Sequence, residues 1–156
     1  MPEFDRILIT GAAGSLGSHL RRGLAPLARV LRLTDLRDLG EAAPNEELVT
    51  GDLSDRATAM AAIEGCDAIV HFAAHPREIT FAELQGEAIP AAYHVWEGAR
   101  LHKIRRVVYA SSIHAVGFHA VDGVPGVEAR HRPDSFYGLT KTFSEDLASL
   151  YWDKYG

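Results

Sequence analysis

Five short and nearly unbroken apolar runs, separated by stretches of helical periodicity or by turn residues, constrain this chain more than any other feature. Ile7-Leu8-Ile9-Thr10 is the first. It is apolar at consecutive positions and closed by Gly11, which suits a strand buried on both faces of a parallel sheet. Leu16, Leu20, Leu24 and Leu27 then recur at helical spacing, and Pro26 predicts a helix end near Ala25. Val30–Asp35 reads as a second strand and Leu48-Val49, ahead of Gly51-Asp52, as a short third one. Gly40, Pro44 and Asn45 leave the helix between those two weak or missing. Ser54 is placed to cap a helix running through Ala57, Met60, Ala61 and Ile63 to Gly65. A fourth strand, Ala68–Phe72, is followed by a helical stretch from Phe81 to His102 that Pro90 should bend or split. Arg106–Ser111 is the fifth strand, and Asp134-Ser135 can cap a last helix from Phe136 to Tyr155. Strands alternating with helices in this way predict an α/β fold, a doubly wound parallel sheet, in the order 3-2-1-4-5.

Composition narrows the function classes. With 156 residues, 47% of them hydrophobic and 24% charged, the chain is long enough for one domain with a core and too short for two of ordinary size. A net charge of -5 with Lys and Arg scattered offers no footprint for nucleic acid and no polybasic patch for a membrane. Cys66 is the lone cysteine, so an intrachain disulfide and a cysteine-based metal knuckle are both excluded, and a small buried hydrophobe is expected. The first residues carry acids where a signal peptide would carry bases, which makes the cytoplasm the expected compartment. Eight histidines invite a metal hypothesis, but His71 and His75 flank a strand end and their spacing does not converge as it would on a helix, so no metal is expected.

Thr10-Gly11-Ala12-Ala13-Gly14-Ser15-Leu16-Gly17 spaces its glycines three apart at the junction of a buried strand and a helix. The first glycine allows the tight turn, the second lets a pyrophosphate approach the backbone, and the third lets helix and sheet pack closely. The helix N-terminus presents free N–H groups to the phosphates. Asp35 ends the second strand, near the ~20-residue separation at which a carboxylate hydrogen-bonds an adenosine ribose 2′-OH. A carboxylate there repels a 2′-phosphate and so favours NAD over NADP, a preference that nearby Arg37 can soften. Asp52-Leu53, after the third strand, can reach an adenine edge.

Tyr137 and Lys141 stand four residues apart, on one face of the last helix. An ammonium beside a phenol favours phenolate, the condition for acid/base work. Ser111-Ser112, at the carboxyl end of the fifth strand, supplies a hydroxyl to orient a reacting oxygen.

Together these pieces resemble the extended, sugar-epimerase-like branch of the short-chain dehydrogenase/reductase superfamily, over essentially the whole chain. The matching residues are Gly11, Gly14 and Gly17, Asp35, Asp52-Leu53, the strand end His71-Phe72-Ala73-Ala74, Ser111-Ser112, and Tyr137 with Lys141. The resemblance implies a Rossmann-like, NAD-dependent enzyme with Tyr137 as acid/base, Lys141 holding the nicotinamide ribose, and Ser112 orienting substrate. It places NAD against Gly11, Ala13, Gly14, Ser15, Leu16 and Gly17, against Asp35, Leu36, Asp52 and Leu53, and against Phe72, Ala73, Ala74, Tyr137 and Lys141. Ser111, Ser112, Ile113 and His114 would meet the substrate. Within that branch, Ala110–Gly117, Arg132–Gly138 and Glu145–Ala148 look most like uronate dehydrogenases, which oxidise the anomeric carbon of a uronic acid to a lactone. Ile113 stands where those enzymes carry Asn, Pro76 near a Ser, and Ala88 near an Asn, so the expected sugar or sugar-acid pocket is more apolar. Dehydration is disfavoured, because Ser112-Ile113-His114 contains no acid. An epimerase would use the same Ser, Tyr and Lys, and a non-catalytic NAD-binding module would need only the nucleotide side.

The branch implies a homo-oligomer through the middle and last helices. Its members continue past the Tyr-x-x-x-Lys helix into further strands and a substrate lobe, so residues 1–156 are expected to form a single NAD-binding domain, incomplete at the C-terminus.

Overall fold

The computed structural model describes residues 2–75, 77–120 and 122–156; Pro76, singled out above, lies outside them. Five strands, β1 (Phe4–Thr10), β2 (Ala28–Asp35), β3 (Glu46–Thr50), β4 (Ala68–His71) and β5 (Arg106–Tyr109), form one parallel sheet in the order β3-β2-β1-β4-β5. The expected topology is present. It follows from strands that are apolar on both faces, since only a sheet covered by helices on both sides buries such runs.

Period-two alternation sorts the strand residues between two cores. Ile7, Ile9, Leu31, Leu33 and Val70 face the layer that holds α1 (Ser15–Leu24), with Leu20 and Leu24 packed against them. Leu8 and Ile69 face the opposite layer, where α2 (Arg56–Ile63) contributes Ala59, Ala62 and Ile63 and α4 (Ile89–Leu101) contributes Val95 and Ala99. Leu8, Ile9, Leu31, Leu33 and Ile69 are fully buried, each contributing roughly 1.5–3 kcal/mol of transfer free energy. Cys66 is buried beside Ile63, and burial pushes its thiol up to about 11, so it stays an inert thiol. On β5, Val107 packs into the α2 and α4 side, while Val108 points the other way and is 60% exposed.

Local structure departs from the expected pattern at the start of α2, and the stretch near Pro90 is split as expected. Asp55, not Ser54, caps α2: its carboxylate accepts the Thr58 N–H at 2.8 Å and the Thr58 hydroxyl at 2.7 Å. Ser54 instead donates its backbone N–H to the Asp52 carboxylate at 2.8 Å, closing the turn after β3. The stretch after Phe81 is interrupted, with a short α3 (Phe81–Glu83), one wide π-helical turn over Leu84–Ala88, and then α4. Pro90 sits in the first turn of α4, so the break falls just ahead of the position where its missing N–H would otherwise leave a gap in the ladder. The last helix, α5 (Phe136–Tyr155), has the bounds read from the sequence and lies against α4, where Trp96 Nε1 donates to the buried Ser144 hydroxyl at 2.8 Å. No helix among the described residues is long and apolar enough to cross a membrane.

Candidate active site

β1 leads to β2 on one side of the sheet and β4 lies on the other, so a crevice opens at the carboxyl ends of β1 and β4. Gly11 turns the chain there with φ +67°, and a Cβ on it would come within 2.7 Å of the Ala73 nitrogen. Only glycine fits the turn, because the backbone of the β4 end already fills the side-chain space. At Gly17 a Cβ would press into the Gly11 carbonyl and the Ala12 backbone, so α1 can start close to the sheet only without one. Gly14 is the N-cap and makes no side-chain cap, which leaves the first N–H groups of α1 facing the crevice.

Asp35, at the end of β2, is 22 residues from the loop residue it holds: its carboxylate accepts the Ala13 N–H at 3.0 Å. It also accepts the Arg37 backbone N–H at 3.0 Å and the Arg37 side chain at 3.3 Å. Burial opposes its charge, but these donors together hold the carboxyl below its ordinary value. Leu36, next to it in the chain, is exposed at 68%, and Leu16, in the first turn of α1, at 62%. Asp52 is engaged by Ser54, and the Leu53 side chain is buried in the α2 and α4 core while its carbonyl oxygen lies 3.0 Å from His94 Nδ1.

The floor of the crevice is built by Thr10. Its hydroxyl accepts the backbone N–H groups of Phe72 at 3.1 Å and Ala73 at 3.0 Å, which fills both lone pairs. The hydroxyl proton therefore goes to His71 Nδ1, 2.7 Å away, and that ring is neutral with Nδ1 as acceptor. Full burial, with the charge of Lys141 nearby, pushes His71 down to about 3. His71 is thus a structural residue of the strand end, and among the described residues no group of three or more His, Cys, Asp or Glu is gathered as metal ligands would be.

The sign of the resulting pH dependence is fixed. The unfolded chain takes up a proton on this histidine below its ordinary 6.5, and the folded chain does not until about 3. Stability is therefore expected to fall as pH drops through that window, and to fall less steeply in His71→Gln. Urea midpoints across the window measure it; parallel curves for the two proteins would contradict the assignment.

At the other end of the crevice, α5 carries Tyr137 and Lys141. Ser135 caps the helix by accepting the Gly138 N–H at 3.0 Å, and the Glu78 carboxylate accepts the N–H groups of Phe136 at 2.9 Å and Tyr137 at 3.2 Å. An anion at this N-terminus also meets the helix dipole favourably. Lys141 is only 3% exposed. Its Nζ donates to the Ala110 carbonyl at 2.8 Å and lies 5.4 Å from the centre of the Tyr137 ring. Burial pulls its ammonium down to about 8, with Glu145 opposing.

Ser112 caps a 3₁₀ turn over Ile113–Ala115, its hydroxyl accepting the His114 N–H at 3.2 Å. That turn packs against α5, because Gly138 leaves room for the His114 carbonyl. Ser111 points elsewhere and hydrogen-bonds the Glu145 carboxylate, which also accepts from His131 at 2.9 Å. Ile113 is exposed at 81%.

A cleft of about 360 Å³ opens beside the phenol, lined by Arg77, Glu78, His114, Asp134, Ser135 and Tyr137. Of the expected substrate-side residues it holds His114, beside the expected acid/base Tyr137, whereas Ser111, Ser112 and Ile113 do not line it. Glu78 and Asp134 were not anticipated as cleft residues. Asp134 carries only a capping signal in the sequence, and Glu78 carries none.

A profile of the NAD dependent epimerase/dehydratase family matches residues 7–156. Over 98% of the chain, a uronate dehydrogenase of Pseudomonas putida is 47% identical. A crystal structure of uronate dehydrogenase from Agrobacterium tumefaciens superimposes with a TM-score of 0.93 at 43% identity, covering 97% of this chain and 57% of that one. A UDP-galactose 4-epimerase structure does so with a TM-score of 0.84 at 34% identity, covering 97% of this chain and 52% of that one. The chain spans 56–58% of the length of the curated uronate dehydrogenases it matches. With its sheet order, glycine turn and Tyr137–Lys141 helix all in place, the chain belongs to the NAD dependent epimerase/dehydratase family.

Proposed function

We propose that residues 1–156 form one dinucleotide-binding domain of an NAD-dependent oxidoreductase that acts on a sugar or sugar acid. The observation that carries this reading is the buried Lys141, fixed on the Ala110 carbonyl and facing the Tyr137 ring at the edge of a polar cleft. A module that only binds dinucleotide can use the ammonium on a ribose but has no use for the phenol set beside it.

The residues present fit NAD. Gly11 and Gly17 let the turn and the start of α1 lie directly against the sheet, the α1 N-terminus carries no side-chain cap, and Asp35 presents a carboxylate where a ribose diol would lie. Gly11, Ala13, Gly14, Ser15, Leu16 and Gly17 would hold the pyrophosphate, Asp35 and Leu36 the adenosine ribose, Asp52 and Leu53 the adenine, and Phe72, Ala73 and Ala74 the strand-end side. Bound there, NAD supplies the acceptor for a hydride. Tyr137, as phenolate, takes the hydroxyl proton while the C–H electron pair leaves as hydride and a carbonyl forms. Lys141 stabilises the phenolate and reaches the nicotinamide ribose, and Ser112 orients the reacting oxygen. His114 meets the substrate from the cleft beside Tyr137, whereas Ser111, bonded to Glu145, and Ile113 would reach it only from outside that cleft.

Sugar acids are the favoured substrates, on the likeness to uronate dehydrogenases. The test is NADH formation by a full-length version of the chain over a panel of uronic acids and aldoses. Isomerised sugar without net NADH would instead favour an epimerase, and dinucleotide binding without either product would favour the non-catalytic module. Homo-oligomerisation through α4 and α5 belongs to the same proposal, supported by exposed Tyr93 and Leu101 on α4 and Leu150, Trp152 and Tyr155 on α5.

Cofactor choice follows from Asp35. NAD is expected to bind more tightly than NADP, and Asp35→Ala to erase the difference by losing a charged hydrogen bond worth about 1–3 kcal/mol. Calorimetric titration of both dinucleotides against both proteins measures this. Equal wild-type affinities would sink the assignment of cofactor choice to Asp35, whose carboxylate Arg37 already pairs.

A further inference from the structure

The turn after β5 and the residues before α5 close on each other around one side chain. His114 Nδ1 lies 2.9 Å and 3.1 Å from the two Asp134 oxygens, the Ser135 hydroxyl donates to Asp134 Oδ1 at 2.9 Å, and the Asp134 backbone N–H reaches the His114 carbonyl at 3.3 Å. Gly117 makes the arrangement possible, because a Cβ there would collide with the Asp134 carboxylate. Gly138 does the same for the His114 backbone. The His114 ring then stands edge-on to the Tyr137 ring, with 5.7 Å between centres, and lines the cleft.

We infer that Asp134 is a positioning residue that fixes His114 with its proton on Nδ1, leaving Nε2 as a hydrogen-bond acceptor beside Tyr137, and that this acceptor selects substrates carrying a free hydroxyl next to the reacting carbon. The inference rests on the proposed oxidoreductase reading for its substrate and on geometry alone for its tautomer. An ionised carboxylate has no proton to give, so the hydrogen in the Asp134–His114 bond belongs to Nδ1. His114 itself keeps the Asp134 carboxyl below its usual range, with Ser135 helping. A neutral ring protonated on Nδ1 has one remaining polar atom, and that atom can only accept. Set beside the phenol that receives the proton of the reacting hydroxyl, it matches a second hydroxyl on the neighbouring carbon of a sugar. A carboxylate or carbonyl oxygen at that place would find no donor. Arg77 and Glu78, the other charged residues lining the cleft, stand on the loop after β4.

The tautomer is read directly by long-range ¹H–¹⁵N correlation of the imidazoles in the labelled chain, at a pH well above histidine titration, with His114 assigned by its loss in His114→Gln. The expected wild-type pattern is a protonated Nδ1 and an unprotonated Nε2. Asp134→Asn keeps the shape beside Gly117 but presents N–H donors to Nδ1, and is expected to move the proton to Nε2. A wild-type proton on Nε2, or the same tautomer in both proteins, would overturn the inference, and the wild-type spectrum decides alone if the variant does not fold.

The kinetic arm compares an oxidised sugar with its analogue lacking the neighbouring hydroxyl. Asp134→Asn is expected to raise KM roughly 10- to 100-fold for the sugar, and to leave the analogue's KM nearly unchanged. Equal losses on both would overturn the hydroxyl selection. The spectra need no turnover, so a failure of the oxidoreductase reading would show in activity while leaving the tautomer result standing.

Discussion

Tyr137→Phe is expected to lower turnover by roughly 10²–10⁴-fold, the usual worth of a positioned acid/base, while dinucleotide affinity and folding stay as in the wild type. The substitution removes one oxygen. The ring contact with His114 needs only the aromatic edge, and the link from Glu78 to the start of α5 runs through backbone N–H groups that phenylalanine keeps. Loss of the hydroxyl therefore separates chemistry from architecture. The measurement is kcat on an active sugar beside calorimetric NAD affinity. Wild-type turnover in the variant would remove Tyr137 from the mechanism, and lost NAD affinity would make it a binding residue.

Lys141 is expected to give the second large effect, and a different signature. Lys141→Met keeps most of the volume of a side chain that is only 3% exposed, but removes the charge facing the phenol and the donor to Ala110. Turnover should fall by roughly 10²-fold or more, and NAD should bind about tenfold more weakly once the donor to its ribose is gone. A pH signature accompanies these losses. Burial has lowered the folded-state value from 10.5 to about 8, so between those values the unfolded chain binds a proton that the folded chain does not. Wild-type stability should therefore rise relative to Lys141→Met as pH increases through that window. Denaturant midpoints measured in parallel report the difference. A constant gap across the window would show that Lys141 is not desolvated as described, and unchanged NAD affinity would leave it a role in proton transfer alone.

The strands and the last helix were legible because their signal is local. Ile7–Thr10 and Ala68–His71 announce burial by their apolar runs alone, Leu20 and Leu24 of α1 pack partly buried on the sheet although Leu16, in register with them, is exposed, and parallel strands joined through helices have few ways to stack. The glycine turn was equally plain. Gly11 and Gly17 are required by backbone contacts within a few residues or with the adjoining strand end, and no other residue satisfies them. Local competition blurred smaller features. Ser54 and Asp55 are both good caps; in the folded chain Asp55 accepts the Thr58 N–H, while Ser54 closes the preceding turn through its N–H to Asp52. The wide turn over Leu84–Ala88 has no periodic signature distinct from the helix that continues beyond it.

The site divides along the same line. The sequence by itself determined the elements, the glycine turn after β1, the carboxylate at the end of β2 and the Tyr137–Lys141 face, since each depends on residues close in the chain or on one helical repeat. The tertiary structure alone decided which polar groups share the cleft. Glu78 meets α5 across 58 residues, Thr10 meets His71 across 61, and Asp134 meets His114 across 20, each through loops whose paths are set by how strands and helices pack. It also turned Ser111 away to Glu145 and left Ile113 outside the cleft. Burial pattern is written in the periodicity of a segment, whereas the partner of a buried or half-buried polar group is whichever donor or acceptor the packed sheet edge brings within about 3 Å.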